Sequence, residues 1–106
     1  MRKSIQVGFA LAAMVLMAGS MSFAQSAGEA TYKAKCQSCH GAEGIPNPGI
    51  AKAMGVKPAT DPSVKSMSEA AMISATKNGI AKMKPQTGLT DAQIKDAVDY
   101  FRTFAK

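Results

Sequence analysis

The clearest pattern of hydrophobic and polar positions lies in the last part of the chain. Its apolar residues recur at intervals of three and four, the period of one helix face: Ile94, Ala97, Val98, Phe101 and Ala105. Thr90 and Gln93 precede most of this stretch with the spacing of a capping box, in which each side chain bonds to the other residue's backbone amide. The pattern predicts a helix over 90–105.

Two more helices are predicted earlier in the chain. Ser26 and Glu29 have the spacing of a capping box and are followed by residues that favour helix, which indicates a helix over 26–37. Ser66 and Glu69 repeat that spacing before a second such stretch, and Asn78-Gly79 is a common helix ending. A helix over 67–78 is therefore predicted.

The segments between these helices are rich in glycine and proline. Residues 41–66 contain four glycines and four prolines, so we predict a long loop with one short helical turn near Ile50–Met54. Residues 80–89 form a shorter loop that includes Pro85 and Gly88. Because no stretch alternates apolar and polar residues as a strand does, the predicted fold class is all-α.

The first 24 residues have the features of a secretory signal peptide. Arg2 and Lys3 give a basic start, an apolar run follows over 7–18, and Ser22 and Ala24 supply the small residues of a cleavage site. The apolar run is shorter than the roughly 20 residues of a membrane-spanning helix. We predict a signal peptide at 1–24, a mature domain at 25–106, a periplasmic location and no stable membrane insertion after cleavage.

Composition limits what the 82 residues after the signal peptide can be. They suffice for one small domain and exclude a multidomain enzyme. Arg2 and Lys3 carry two of the six net positive charges, and the remaining lysines are scattered singly, so we predict no nucleic-acid partner. The apolar residues are mostly alanine, with four aromatic side chains among them. Such a thin core needs a further apolar filler.

Residues 36–40 read Cys-Gln-Ser-Cys-His and hold both cysteines and the only histidine of the chain. This spacing suits covalent haem attachment, since each thiol can add to one vinyl group while the adjacent imidazole reaches the iron from the same side. Export and a thin core both favour that interpretation over a chance match.

Three other interpretations of the motif compete with haem attachment. A thioredoxin-type dithiol or a disulfide would use Cys36 and Cys39, but no predicted strand precedes them. A zinc site would need a fourth ligand, and the chain has no further Cys or His. A structural disulfide beside a surface His40 would leave the loop over 41–66 with no apolar body to surround.

For the sixth coordination position of a haem iron, the candidates are four methionines or an open site. Met67 and Met72 fall at helical positions, where methionine usually packs in the core. Met54 lies in the long loop, fourteen residues after His40. Met83 lies between the last two helices with Pro85 nearby to stiffen the backbone, and it is our choice.

Several motifs occur together along residues 26–105: Cys36–Gly41, Gly44, Pro46, Pro48, Lys77–Gly79, Met83, Leu89–Ile94 and Tyr100-Phe101. On these motifs, essentially all of this stretch resembles the small bacterial monohaem class I c-type cytochromes. The resemblance implies that three main helices and short helical turns surround one covalent haem c, that Cys36 and Cys39 form thioethers, and that His40 and Met83 bind iron. It also implies that Pro48, rather than Pro46, supplies the carbonyl that accepts the Nδ1–H of the haem histidine.

The same resemblance places Gly28 and Tyr32 where the first helix crosses the last, near Ala97 and Tyr100. The chain departs from the family in having Lys84 between the ligand methionine and Pro85, so we expect a looser Met83 loop. It also has no tryptophan that could bond a haem propionate.

These features predict a one-electron carrier and not an enzyme. We expect a monomer whose partners are redox proteins, with Lys52, Lys82 and Lys84 able to steer an acidic partner. The alternative is a haem-based catalyst or small-ligand sensor whose sixth site is weak or open.

Overall fold

The computed structural model describes Phe23 and residues 25–106. The predicted signal peptide at 1–24 lies outside these residues, apart from Phe23, which is helical and exposed. None of the helices in the described part of the chain is long and apolar enough to cross a membrane.

Six α-helices and a final 3₁₀ turn make up the described structure. In chain order they are α1 (25–35), α2 (Gln37–His40), α3 (Pro48–Met54), α4 (Pro62–Lys65), α5 (Glu69–Asn78), α6 (Asp91–Arg102) and the 3₁₀ turn Thr103–Ala105. Within residues 25–106 there is no strand, and one isolated bridge joins Ile80 to Met83. The predicted all-α class is confirmed.

The last helix begins as its sequence predicts. The Gln93 amide donates to the Thr90 hydroxyl over 3.1 Å, and the Thr90 amide donates to the Gln93 side-chain oxygen over 2.9 Å. This reciprocal pair satisfies amides that have no partner inside the helix. The predicted ending of α5 is also confirmed, since Gly79 follows Asn78 with a φ of 82°.

The other two capping boxes are wrong. Ser26 lies inside α1, because residue 25 is already helical. Ser68, not Ser66, caps α5, accepting from the Ala71 amide over 3.1 Å. Ser66 ends α4, because its amide donates to the Pro62 carbonyl and its backbone is in the helical region. An N-cap residue needs an extended backbone, so Ser66 cannot also begin α5.

The segment 41–66 contains two short helices where we predicted one helical turn. Both begin with a proline whose preceding side chain caps the helix. Asn47 accepts from the Gly49 and Ile50 amides ahead of α3, and Asp61 accepts from the Ser63 amide ahead of α4. Each helix start can be recognised in the sequence, as Asn-Pro and as Asp-Pro, because proline is favoured at the first helical position.

The apolar core lies between α5 and α6. Met72 of α5 packs against Ile94 and Val98 of α6, and all three side chains are buried. Partly buried side chains close the cluster on its flanks: Val64, Met67, Ile73, Leu89 and Phe101. Few large side chains contribute, which agrees with the thin core that composition predicts.

Helix α1 crosses α6 at Gly28. A Cβ at Gly28 would overlap the carbonyl of Asp96 and lie 3.2 Å from the Tyr100 Cβ, so the crossing needs a residue without a side chain. One turn later Tyr32 is 1% exposed, with its ring centroid 5.3 Å from that of Tyr100 and 5.9 Å from that of Phe104. The predicted crossing is confirmed, and it fixes the end of α1 against α6.

Candidate functional site

Both cysteines and the histidine lie on a single helical turn directly after α1. The Cys36 amide donates to the Tyr32 carbonyl over 2.8 Å, and the amides of Cys39 and His40 return to the Cys36 carbonyl over 3.2 and 3.0 Å. Positions three and four apart share a helix face, so the spacing places Cys36, Cys39 and His40 on one side of this turn. Both cysteines are free thiols and half-buried.

Burial shifts the pKa values of Cys36 and His40 toward their neutral forms. It raises the pKa of the Cys36 thiol, and the neighbouring Cys39 adds to that effect. Burial also lowers the pKa of His40. The motif therefore presents a neutral thiol and a neutral imidazole, and the neutral imidazole is the form that binds a metal.

The His40 ring contacts α6 and has one nitrogen without a partner. Its centroid lies 5.3 Å from that of Phe101 in an edge-on arrangement. The Nδ1 atom is buried and makes no hydrogen bond. In this structure the Pro48 carbonyl thus does not accept from Nδ1. Pro48 is exposed as the first residue of α3, while Pro46 is buried. The assignment of Pro48 remains a prediction.

Tyr32 holds the turn after the motif in place. The Tyr32 hydroxyl donates to the Gly41 carbonyl over 2.6 Å, and burial raises the pKa of that hydroxyl, so Tyr32 remains a donor at neutral pH. Gly41 has a φ of 83°, and a Cβ there would overlap the Ile45 backbone. Gly41 therefore allows the chain to reverse immediately after His40.

Met83 lies on a tight turn between α5 and α6. The Ile80 amide donates to the Met83 carbonyl over 3.0 Å, and the Met83 amide donates back to the Ile80 carbonyl over 2.8 Å. Ala81, inside the turn, has a φ of 51°, which is unusual for a residue other than glycine. The closed turn covers residues 80–83, while residues 84–86, on which the prediction of a looser loop rests, have no regular structure.

Two contacts join this turn to its surroundings. The Gln86 amide donates to the Thr76 carbonyl of α5 over 2.9 Å. The Lys82 ammonium donates to the Ala53 carbonyl of α3, also over 2.9 Å. Met83 itself is half-buried.

The other three methionines of the described residues differ in their surroundings. Met72 of α5 is buried in the core, as its helical position predicted. Met67 also packs against that core, but it lies in the connection between α4 and α5, so its predicted helical position is wrong. Met54 is 39% exposed at the end of α3. Packing against the described core, and not a place in a helix, therefore separates both Met67 and Met72 from Met83.

The orphaned polar atoms of the motif suit a bound group. In the part of the chain that the structure describes, the buried side-chain nitrogen and oxygen atoms without a partner are His40 Nδ1 and Gln37 Oε1. Buried polar atoms are nearly always paired, so two of them in one motif mark a place where a partner belongs. Two thiols, an imidazole and a thioether are donors suited to a covalent haem. The residues present therefore fit the group that the resemblance implies.

A metal site of another kind finds no support in residues 25–106. No group of three His, Cys, Asp or Glu side chains among them could hold an ion. The zinc interpretation also lacks its fourth ligand in the sequence.

Sequence reasoning missed three features around these residues. Gln37 is a spacer in the motif, yet its side-chain oxygen is buried. Gly79 ends α5 as predicted, and a Cβ there would also lie 2.9 Å from both the Met83 carbonyl oxygen and Pro85 Cδ. The exposed Lys82 ammonium, which we predict helps to steer a partner, also donates to a carbonyl of α3. The Lys82 contact joins distant parts of the chain, and the other two features depend on the folded path of the backbone, so no local pattern indicates them.

Comparisons with known proteins agree with the site. The model of the family described as cytochrome c oxidase, cbb3-type, subunit III, matches residues 23–101. The solved structure of the KustC0563 c-type cytochrome is 27% identical, with a TM-score of 0.66, and the match covers 74% of this chain and 98% of that one. A search of curated proteins finds no match.

The family model spans well over half of the chain, and its match includes the whole motif at residues 36–40. The chain therefore belongs to the c-type cytochromes described by this family model, whose cofactor is covalently bound haem c and whose chemistry is haem-based electron transfer.

Proposed function

We propose that the protein is an exported, monomeric one-electron carrier with His40 and Met83 as the axial ligands of its haem iron. Cys36 and Cys39 would carry the thioether bonds. The observation that carries this proposal is the closed turn that presents Met83, with hydrogen bonds between Ile80 and Met83 in both directions. A weak or open sixth site would not require such a turn.

His40 would act as the ligand on one side. Its burial favours the neutral imidazole, so no proton has to leave before the ring binds a metal. Phe101 packs edge-on against the ring and limits its rotation. The unpartnered Nδ1 needs an acceptor, and the Pro48 carbonyl is our proposed one, since such a bond orients a metal-binding histidine and makes it a better donor.

Met83 would act as the ligand on the other side. A thioether is a soft, uncharged donor that has no proton to lose, so its binding does not change across neutral pH. Haem c, when bound, supplies a one-electron iron couple, and a Met/His pair raises its reduction potential. Two fixed ligands leave little to rearrange between oxidation states, which suits an electron carrier rather than an enzyme.

We place the partner surface where the Met83 turn lies beside the end of α3. Met54 and Ile80 are 39% and 54% exposed, and the contact between Lys82 and Ala53 brings their two segments together. Lys52 and Lys84 add positive charge nearby in the sequence, which favours an acidic redox protein. Lys82 is exposed and adds its charge to this surface, while its ammonium also donates to the Ala53 carbonyl.

Replacement of Met83 by Ala tests the axial assignment. We expect haem to stay attached through both cysteines, while the sulfur-to-iron absorption of the oxidised protein disappears and the reduction potential falls. Exogenous ligands should then bind the vacated position. The measurements are the visible spectrum, a redox titration and a ligand titration.

Met67→Leu and Met72→Leu are the matched controls. Each keeps the volume of the side chain in the core and should cost at most about 1.5 kcal/mol while leaving the absorption unchanged. Loss of the absorption in a control but not in Met83→Ala would show that the ligand is wrongly assigned. A wild-type protein without that absorption would favour the open-site catalyst or sensor.

A further inference from the structure

A single long-range contact holds the tip of the Met83 turn. The Lys82 Nζ lies 2.9 Å from the Ala53 carbonyl oxygen, although the two residues are 29 positions apart. Among the described side-chain hydrogen bonds, this one spans the largest separation along the chain. The contact therefore joins the Met83 turn to the end of α3, a segment far away in the chain.

The acceptor is a carbonyl with particular need of a donor. Helix α3 ends at Met54, and Gly55 follows with a φ of 67°. The last four carbonyls of a helix have no amide partner inside it, and they carry the negative end of its dipole. An ammonium group is a suitable partner for the Ala53 carbonyl on both counts.

The donor lies where a tether has most effect on Met83. Lys82 immediately precedes Met83 and follows Ala81, whose φ of 51° is disfavoured for a side chain of its type. A turn with such a residue needs support from outside to keep its shape. Besides the two bonds between Ile80 and Met83, the Lys82 tether supplies that support at the tip.

We propose that Lys82 is a positioning residue, whose bond to the end of α3 holds the Met83 turn in the shape that presents the thioether. The axial role of Met83 belongs to the proposed function, and this inference rests on it. The proposal assigns to Lys82 a structural task, where its charge alone suggested only attraction of a partner.

The test compares Lys82→Leu with Lys84→Leu in the haem-loaded protein. Both variants remove one positive charge from the same exposed segment, but the Ala53 contact involves Lys82 alone. We expect amide hydrogen exchange at Ile80 and Met83 to be about fivefold faster in Lys82→Leu than in Lys84→Leu, because the loss of one hydrogen bond to a charged group favours local opening. Lys82→Arg retains a cationic donor and should restore most of the protection.

A second readout concerns the iron. On heating, the sulfur-to-iron absorption of Lys82→Leu should disappear at a lower temperature than that of Lys84→Leu, while helical circular dichroism is retained. Equal exchange rates and equal loss temperatures in the two variants would overturn the proposal. So would failure of Lys82→Arg to protect better than Lys82→Leu.

The two proposals fail in different ways. If Met83 is not an axial ligand, the wild-type absorption does not depend on Met83, yet the exchange rates still report whether Lys82 holds the turn. If Lys82 holds nothing, the absorption is present and depends on Met83, and the exchange rates of the two lysine variants coincide.

Discussion

The two segments that we propose hold the haem, the motif at 36–40 and the Met83 turn, are built in different ways. In the motif, both thiols and the imidazole lie on one helical turn, where Cys36 accepts from the amides of Cys39 and His40. Met83 lies on a turn with a strained Ala81, and Lys82 joins that turn to α3. The motif depends on spacing along the chain, and the Met83 turn depends on a contact between distant segments.

This difference has a consequence for stability. The motif turn is anchored by the α1–α6 crossing and by Tyr32, which is among the most buried residues described. The Met83 turn has few buried contacts and several exposed bonds, the properties of a segment that opens locally. We therefore expect changes near the motif to affect the whole fold, and changes near Met83 to affect the turn first.

The largest effect is expected from removal of both thiols. Cys36→Ala combined with Cys39→Ala should abolish covalent haem, and most helical circular dichroism should be lost with it, because the core between α5 and α6 holds few large side chains. Haem staining after denaturing electrophoresis and circular dichroism are the measurements. A folded, haem-free double variant would refute the idea that haem completes the core.

Gly28→Ala should be the next most damaging change, because it alters the crossing that supports the motif. The added Cβ would overlap the Asp96 carbonyl, and we expect a loss of about 3 kcal/mol in the free energy of unfolding. Thermal unfolding should show this as a fall of about 4–8 °C per kcal/mol.

Gly88→Ala is the control for that change. Nothing lies within 4 Å of a Cβ at Gly88, and its φ is not in the left-handed region. It should be neutral or stabilise the fold by up to about 1 kcal/mol. Equal losses at Gly28 and Gly88 would mean that the crossing is not as close as the structure has it.

Gly79→Ala should have a smaller effect, centred on the Met83 turn. The φ of 82° costs a residue with a side chain about 1–2 kcal/mol, and the new Cβ would lie 2.9 Å from the Met83 carbonyl oxygen. We expect weakened sulfur-to-iron absorption with both thioether bonds intact, measured by visible spectroscopy against temperature.

Gly55→Ala separates backbone strain from contact in that experiment. Gly55 also has a left-handed φ, 67°, but a Cβ there meets nothing within 4 Å. With a ψ of 25°, Gly55 is in the left-handed helical region, which other residues tolerate better than the Gly79 conformation with its ψ of 159°. Gly55→Ala should therefore cost less strain and leave the absorption unchanged. If Gly55→Ala weakens the absorption as much as Gly79→Ala does, the contact with Met83 is not what matters.

Several features of this protein could be predicted from local sequence alone. The Thr90 capping box, the amphipathic face of α6 and the glycine that ends α5 are all correct, since each depends on residues within one or two helical turns. The candidate haem-binding groups could also be predicted from local sequence, because the two thiols and the imidazole lie within the five consecutive residues 36–40. The α1–α6 crossing is not a local feature, and it could be predicted only from the resemblance to c-type cytochromes.

Tertiary structure decided what local sequence left ambiguous. Ser66 and Ser68 are both good capping residues, and the amide of Ser66 is taken by α4, so α5 begins after Ser68. Lys82 has the same charge as Lys84, and only the position of α3 makes it a tether. The two choices have different causes: the Ser66 amide is used by the preceding helix, through a bond to Pro62 four residues earlier, whereas the partner of Lys82 lies 29 residues away, where no short pattern records it.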